Sequence, residues 1–513
     1  MRTLVLGAAA FALLATLVPR RADAQTAEFT SLRIMRDKGI ITQAEYDAAM
    51  SDLATSNGGH GADSTSLVVG KWSTTLYGFL ESDFIHDTTE SFNDQAGNAL
   101  VARPSGHPLP APAVPVTYTG ANGATMFSIR NSRFGLRFRA PETHQVRVSG
   151  LLETDFLGTS LPIGTGNAYN GTEQAFFTSP TLRIRHAMIR VETPVVDVLV
   201  GQYWDLFGWQ GFYNPNTVEI QGVPSQLYSR DIQLRVSKTL KTDAVTFEIA
   251  AAALRPPSRD SQVPELQGGL RFAVNKWTGT MTAGATGTST MPASIAVTGD
   301  QRHFSLPEFS QIPVQSVSKD TQSIAVDAFI PIIPARNETA GNALSFTGEL
   351  VYGNGISNLY SGLNGGIGFP TIANSLAINP APTYPQNIDN GMVVYDLQGN
   401  LHAVQWTTWI VGLQYYLPWV QGRAWLSANC SRQVSSNIQE FTAAPGSVPN
   451  PQQGTYVPAE QVRKSEDWFD VNLFGQFTPS FRAGVEYANF NDFYVDATHA
   501  VNHRVQASGF FIF

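Results

Sequence analysis

The sequence predicts an all-β fold, a sixteen-stranded antiparallel transmembrane β-barrel with a short N-terminal helical segment. Runs of alternating apolar and polar residues recur along the chain, long and short connections alternate between them, and an apolar N-terminal run is typical of a secreted protein. Lipid cannot hydrogen-bond to a backbone, so only helices and closed barrels cross a bilayer. Past its N-terminus the sequence has no apolar run long enough for a helical span, so a membrane protein of this sequence must cross with strands.

The N-terminus predicts a signal peptide over residues 1–24. Arg2 supplies a positive charge, residues 4–18 form an apolar run, and Ala22-Asp23-Ala24 provides the small residues that precede a cleavage site. The alternative, a membrane anchor, is disfavoured because the run is too short to span a bilayer as a helix. Secretion places the mature chain outside the cytoplasm.

Composition agrees with a barrel and excludes other classes. Charged residues make up 14% and aromatic residues 11%, with a mean hydropathy of −0.09, as expected when apolar residues occupy alternate positions. Residues 1–24 carry a net charge of +2, so their removal takes the chain from −8 to −10. This acidity argues against a nucleic-acid partner. Cys430 is the only cysteine, which excludes an intrachain disulfide.

Residues 25–70 predict a periplasmic helical segment and a linker, and residues 71–513 the barrel. Thr42 and Glu45 form a capping box before apolar residues at helical spacing, and 56–66 is a Gly/Ser-rich linker. The helical segment is either a periplasmic plug, cell-wall contact or trimerisation handle, or a hairpin with no separate task.

Sixteen strand-like runs follow the linker. They lie at 72–86, 125–140, 144–157, 181–193, 196–205, 227–239, 243–254, 266–275, 277–288, 321–333, 343–354, 403–417, 420–434, 462–477, 481–494 and 501–513. The last run alternates cleanly, with Val505, Ala507 and Phe511 on one face and Arg504, Gln506 and Ser508 on the other. One face suited to lipid and one suited to water are what a membrane barrel needs.

The connections predict the topology. Those after odd-numbered runs are long, including 87–124, 206–226, 289–320 and 355–402, whereas most of those after even-numbered runs are tight turns, such as the one at Lys276. Long loops on one side and short turns on the other are typical of outer-membrane barrels with both termini in the periplasm. A soluble sandwich or propeller gives no reason for this alternation.

Arginines on the early strands predict a basic wall in the lumen. In 133–139 the apolar residues share one face and the arginines the other, and a lipid-facing Arg would cost about 2–4 kcal/mol near the midplane. The run at 181–193 places Leu182, Ile184 and Met188 outward by the same argument. The predicted pore-lining residues are Arg133, Arg137, Arg139, Arg147, Arg183, Arg185 and Arg504. Arg suits this role because its fork binds carboxylates and phosphates at two points.

Two alternatives accompany that wall. The arginines either confer a preference for anions or pair with Glu81, Asp83, Glu153 and Asp155 as a lining without selectivity. The loop at 206–226 either folds inward as a constriction, with Asp205 and Glu219 facing the arginines, or stays an ordinary surface loop.

Several motifs resemble the trimeric porins of Gram-negative outer membranes, and most of all the DcaP-like, dicarboxylate-type branch. They are residues 131–138 (NSRFGLRF), 182–187 (LRIRHA), Gly201-Gln202, the N-terminal helical segment and the terminal Phe513. The resemblance implies a homotrimer of water-filled pores in outer-membrane lipid, a third-loop constriction, passage of small anionic solutes and recognition of the last strand by the barrel-assembly machinery. Phosphate-selective porins have a comparable helical segment before the barrel and basic pores, so they are an alternative family for this sequence.

The motifs do not favour an enzyme. The sequence has no G-x-S-x-G and no H-E-x-x-H, and the histidines lie in no metal-ligand spacing. No metal or other cofactor is expected. The predicted function is passive diffusion of small solutes with a preference for anions, against a phosphate-selective or non-selective porin, or a non-conducting structural or adhesin barrel.

Overall fold

A computed structural model describes most of the predicted barrel. The described residues are 65–69, 72–89, 94, 123–158, 180–283, 287–308, 310, 312–335, 341–361, 363, 388–389, 391–395, 400–441, 462–495, 497 and 499–513. The predicted signal peptide and helical segment lie outside them, except that Thr65–Val69 form a strand where a linker was predicted to end.

Twenty strands and three short 3-10 helices occur in the described residues. The strands are β1 (Thr65–Val69), β2 (Trp72–Asp87), β3 (Ala124–Ser128), β4 (Arg133–Arg139), β5 (Arg147–Gly158), β6 (Thr181–Glu192), β7 (Asp197–Trp204), β8 (Arg230–Lys241), β9 (Val245–Leu254), β10 (Glu265–Thr282), β11 (Thr288–Pro307), β12 (Ser316–Ile333), β13 (Leu344–Asn354), β14 (Val393–Tyr395), β15 (Leu401–Ala403), β16 (Gln405–Tyr416), β17 (Ala424–Ser435), β18 (Arg463–Thr478), β19 (Phe481–Tyr494) and β20 (His499–Ile512). The 3-10 helices are Ser357–Leu359, Pro418–Val420 and Ile438–Phe441.

These strands form a closed antiparallel barrel. β3 and β4 both pair with β2 and make one interrupted wall strand, so the wall has sixteen strands, and β14 and β15 form a separate hairpin. The barrel closes where β20 pairs with β2, from Phe79 opposite Ile512 to Asp87 opposite Arg504. β1 pairs with the first residues of β2. The predicted sixteen-stranded barrel is therefore confirmed.

Side chains alternate between the two faces of the wall as predicted. Along β20 the residues Asn502, Arg504, Gln506 and Ser508 are buried toward the lumen, whereas Phe511 is exposed on the outside. Apolar side chains such as Leu80, Leu234 and Ile249 cover the outer face of other strands. An apolar exterior on a closed barrel is the architecture of a protein that crosses a bilayer with strands.

The predicted boundaries of two strands are wrong. β10 continues through an irregularity between Val274 and Thr278 instead of turning at Lys276, and β11 occupies most of the predicted loop 289–320. Charged residues such as Asp300 and Arg302 are common in surface loops, so the sequence did not indicate a strand in this segment. In the barrel they face inward, where the Arg302 guanidinium pairs with Asp300 and Glu265.

A β-bulge in β6 corrects the predicted orientation of Met188. Glu153 lies opposite His186 and Thr154 opposite Ile184, so Arg185 is an extra residue and both Arg185 and His186 are buried inside. The alternation then shifts by one residue, and Met188 pairs with the lumen-lining Leu151. A bulge has no periodic signal in sequence.

Among the described residues no helix is long and apolar enough to span a membrane.

The lipid-facing surface predicts a depth-dependent effect of charge. Val236 lies near the middle of β8 and Leu240 near its end, both on the outer face. We expect Val236→Arg to destabilise the folded barrel by about 2–4 kcal/mol and Leu240→Arg by about 0–1 kcal/mol. Urea titration of both variants in lipid vesicles measures the difference, and equal costs would contradict a bilayer-embedded exterior.

Candidate pore and constriction

The connection between β7 and β8, residues 205–229, is here called the third loop, and it folds into the barrel. The amides of Leu206 and Phe207 both donate to Gln267 Oε1 at 2.9 Å, and that of Gly208 donates to Thr298 Oγ1 at 2.8 Å. These acceptors lie on β10 and β11, so the first part of the loop lies against the inner wall. The loop therefore follows the inner face of the wall here and not its outer surface.

The middle of the third loop reaches a different part of the wall, formed by β17, β18 and β19. Val218 N donates to Asn472 Oδ1 at 2.8 Å and Glu219 N to Glu486 Oε2 at 2.9 Å. Asn216 accepts from the Trp425 indole at 2.7 Å, and Ser431 Oγ donates to Pro224 O at 2.9 Å. The loop thus crosses the lumen, with its buried backbone groups paired at the far wall.

Residues of the connection from β13 to β16, here called the sixth loop (355–404), pack over the third loop. Leu227 pairs with Tyr360 in an isolated β-bridge, and Tyr228 N donates to Leu359 O at 2.8 Å. Phe207 and Leu227 join an apolar cluster with Ile356, Leu359 and Tyr360. This cluster fills part of the lumen with packed side chains.

A cavity of about 230 Å³ lies between the third loop and the wall strands β2 and β4–β7. The wall contributes Tyr77, Arg133, Arg137, Leu151, Glu153, His186, Tyr203 and Trp204. The loop contributes polar and apolar groups that include Asn214, Thr217, Glu219, Ile220, Gln226 and Tyr228. The cavity therefore places part of the predicted arginine wall directly opposite the loop.

Two of the predicted arginines are held by carboxylates. Arg183 binds Asp155 through two hydrogen bonds, of 3.0 and 2.7 Å. The fully buried Arg185 donates to Glu153 at 2.8 Å and to Asp155 at 3.0 Å, and it also reaches the loop through Gln221 at 2.9 Å. The alternative of arginine–carboxylate pairing is thus partly realised.

Three other arginines are less compensated: Arg133 and Arg137, which line the cavity, and Arg230, which lies behind its lining residue Trp204. Arg133 lies 3.7 Å from Glu153, and its Nε is buried without a hydrogen-bond partner. Arg137 stacks on Tyr77 at 4.0 Å and Arg230 on Trp204 at 4.9 Å, and neither forms an ion pair with a carboxylate within the described residues. We call Arg133, Arg137, Arg183, Arg185 and Arg230 the basic wall. Within the described residues, Glu153 and Asp155 are the two carboxylates that form ion pairs with these five guanidinium groups, which leaves an excess of three positive charges.

The other predicted pore-lining arginines lie away from the cavity. Arg504 forms a bidentate pair with Asp87 at 2.9 and 3.0 Å, so it does not add an uncompensated charge to the wall. Arg139 is exposed at the turn end of β4, and Arg147 is exposed and pairs with Glu192 at 3.6 Å. Both lie at the mouth of the barrel on the turn side.

The two predicted loop carboxylates have different surroundings. Asp205 is buried at the start of the third loop, where it accepts hydrogen bonds from Ser229 and from the Asp231 amide instead of facing the cavity. Burial and the nearby Asp231 raise the pKa of Asp205 to about 7. Glu219 lines the cavity, but burial and the neighbouring Asp83 raise its pKa well above its usual value. Burial thus disfavours the ionised form of both loop carboxylates.

Arg230, Trp204 and Tyr228 were missed as site residues. Tyr228 Oη accepts from Arg185 Nη2 at 3.1 Å, and its ring contacts Trp204 edge-on at 4.9 Å. All three flank the ends of the third loop: Trp204 and Tyr228 line the cavity, and Arg230 stacks on both of their rings. The aromatic residues after Gly201-Gln202 were the available signal, but their partners depend on the path of the loop.

No group of three or more His, Cys, Asp or Glu side chains in the described part of the chain is arranged to hold a metal ion. His186 is buried between Tyr203 and Trp204, with its Nε2 at 3.6 Å from Glu153. Its contacts are those of a packed side chain.

A closed sixteen-stranded barrel with a third loop folded inside is the fold of the outer-membrane porins. The chain is similar to the outer membrane channel DcaP of Acinetobacter baumannii, with 14% identity, a TM-score of 0.54, and coverage of 88% of this chain and 100% of that one. It also matches an anion-selective porin from Comamonas acidovorans (9% identity, TM-score 0.44, 86% and 100% covered) and Pseudomonas putida OprB (8%, 0.44, 85% and 94%). No family model matches the sequence, and no curated protein matches it significantly. At these identities the first similarity establishes the fold, in agreement with the resemblance in the sequence.

The far-wall contacts predict how the constriction is held. Asn472→Ala leaves the Val218 amide without its acceptor, an unsatisfied group that costs about 1–3 kcal/mol. We expect a larger and noisier single-channel conductance in planar bilayers, because the loop loses an attachment across the lumen. Asn491→Ala on neighbouring β19, whose amide contacts Asn489 and not the loop, is the matched control. Equal conductance in both variants would argue that this contact does not hold the constriction.

Proposed function

We propose that this protein is an outer-membrane porin that lets small hydrophilic solutes diffuse passively and prefers anions. The observation that carries the proposal is the excess positive charge of the basic wall, two of whose members, Arg133 and Arg137, line the cavity. The third loop narrows the lumen at this level, so a permeating solute passes close to the arginines. The similarity in fold to an outer membrane channel supports the same interpretation.

The basic wall attracts an anion with a free energy that suits transport. One charge pair at about 4 Å is worth about 1 kcal/mol in bulk water and about 4 kcal/mol at an effective dielectric of 20. A hydrated anion in the cavity lies between these limits, so it is attracted without being trapped, as conduction requires. Arg133 and Arg137 lie four residues apart on β4, ~13 Å along the strand, so a solute in the cavity meets them in succession.

The cellular setting follows from the same proposal. A cleaved signal peptide would deliver the chain to the periplasm, and the barrel-assembly machinery would insert it into outer-membrane lipid with the long loops outside. A homotrimer is the expected assembly. No catalytic activity is proposed.

Neutralising Arg133 and Arg137 tests the anion preference. In a salt gradient we expect Arg133→Gln/Arg137→Gln to lower the anion-to-cation permeability ratio by at least about fivefold, because each lost charge removes about 1 kcal/mol of attraction. Reversal potentials in planar bilayers measure the ratio, and block by succinate and phosphate compares the candidate solutes.

The matched control is Arg147→Gln/Arg432→Gln, which removes two arginines that are exposed, paired with carboxylates and distant from the cavity. An unchanged reversal potential in the first variant would refute the role of the basic wall. Wild-type protein that forms no channel would refute the porin itself.

A further inference from the structure

The third loop places the ionisable side chain of Tyr228 against the basic wall, where its charge affects the ion selectivity of the channel. Tyr228 Oη accepts from Arg185 Nη2 at 3.1 Å and donates to Gln221 Oε1 at 3.0 Å. The guanidinium carbon of Arg230 lies 5.2 Å from the ring centroid and that of Arg185 5.9 Å. The phenol therefore lies among positive charges and also borders the cavity.

We infer that Tyr228 makes the anion preference of the channel depend on pH, because its phenol can carry a negative charge within the basic wall. The inference rests on the proposed porin function. As a phenol, Tyr228 leaves the three excess positive charges of the wall in place. As a phenolate, it cancels one of them at the side of the cavity. Anion preference should then be high at neutral pH and fall in alkaline solution.

The position of Tyr228 is fixed by its neighbours on every side. Its amide donates to Leu359 O on the sixth loop, and the preceding Leu227 amide donates to Glu349 Oε1 on β13. Trp204 on β7 packs against its ring. The hydroxyl therefore stays beside Arg185 whether or not it carries its proton.

The charged groups around Tyr228 favour ionisation. Arg185 on β6 and Arg230 on β8 face the ring, and Arg133 on β4 adds a third positive charge nearby. The carboxylates of β5, Glu153 and Asp155, are engaged by Arg185. Burial opposes the phenolate, but the three arginines outweigh it and lower the pKa of Tyr228 to about 8. Ionisation thus falls within the pH range in which channels are recorded.

The experiment measures the reversal potential of the full-length channel in a potassium chloride gradient as the pH is raised from neutral to alkaline. One charge ~7 Å away across water changes the local occupancy of a univalent ion about threefold. We expect the anion-to-cation permeability ratio of the wild type to fall by at least that factor, with a midpoint near the pKa of Tyr228. In Tyr228→Phe, which keeps the ring and loses the ionisable hydroxyl, the ratio should stay constant.

Tyr360→Phe is the control. Tyr360 is another buried lumen tyrosine, bonded to Thr408 at 2.9 Å, and burial raises its pKa well above its usual value, so it stays a phenol. This variant should retain the wild-type pH dependence. Tyrosinate absorbance of the wild type and of Tyr228→Phe gives a second readout that does not depend on conductance.

The outcomes separate the two proposals. A channel that is anion-selective at neutral pH but shows no alkaline change, or a Tyr228→Phe channel that keeps the change, overturns the role of Tyr228 alone. A channel that is cation-selective at neutral pH overturns the proposed anion preference itself.

Discussion

The structure depends on one constraint, that every backbone amide carried into the lumen must find an acceptor there. The third loop meets it by crossing the barrel, from Gln267 and Thr298 on one part of the wall to Asn472 and Glu486 on another. These four acceptors are polar residues of strands that cross the membrane. On the inner face they accept hydrogen bonds from the backbone amides of the third loop. An unpaired buried amide would cost about 1–3 kcal/mol. The position of the cavity follows from this path.

Charge compensation is the second consequence of that path. Where the loop or a neighbouring strand supplies a carboxylate, an arginine becomes structural, as with Arg504 and Asp87 or Arg302 and Glu265. Where the space opens between loop and wall, the carboxylates are too few, and Arg137 rests on the ring of Tyr77 instead. The same residue type therefore serves the fold in one place and the lumen in another, according to its distance from the third loop.

The sequence was sufficient for the barrel, the direction of most strands and the faces of β20, because alternation with period two is a local property. It failed at β10 and β11, where inward polar residues such as Asp300 and Arg302 resemble a loop until their partners are known. It also missed the bulge that turns Arg185 and His186 to the same side. At the site, Arg133, Arg137, Arg183 and Arg185 were predicted, but which of them are compensated depends on contacts between residues distant in sequence, as do the roles of Arg230 and Tyr228.

The seam between β2 and β20 gives the barrel an order of assembly. Asp87 and Arg504, which join across it, are separated by 417 positions, so this contact has nearly the largest loop-closure entropy that the chain can present. All other neighbouring wall strands pair with partners that are adjacent or close in sequence. The edge of β2 that pairs with β20 therefore stays unpaired until β20 has reached it. An open edge invites pairing with other chains, so the period before closure is when the protein most needs protection from aggregation.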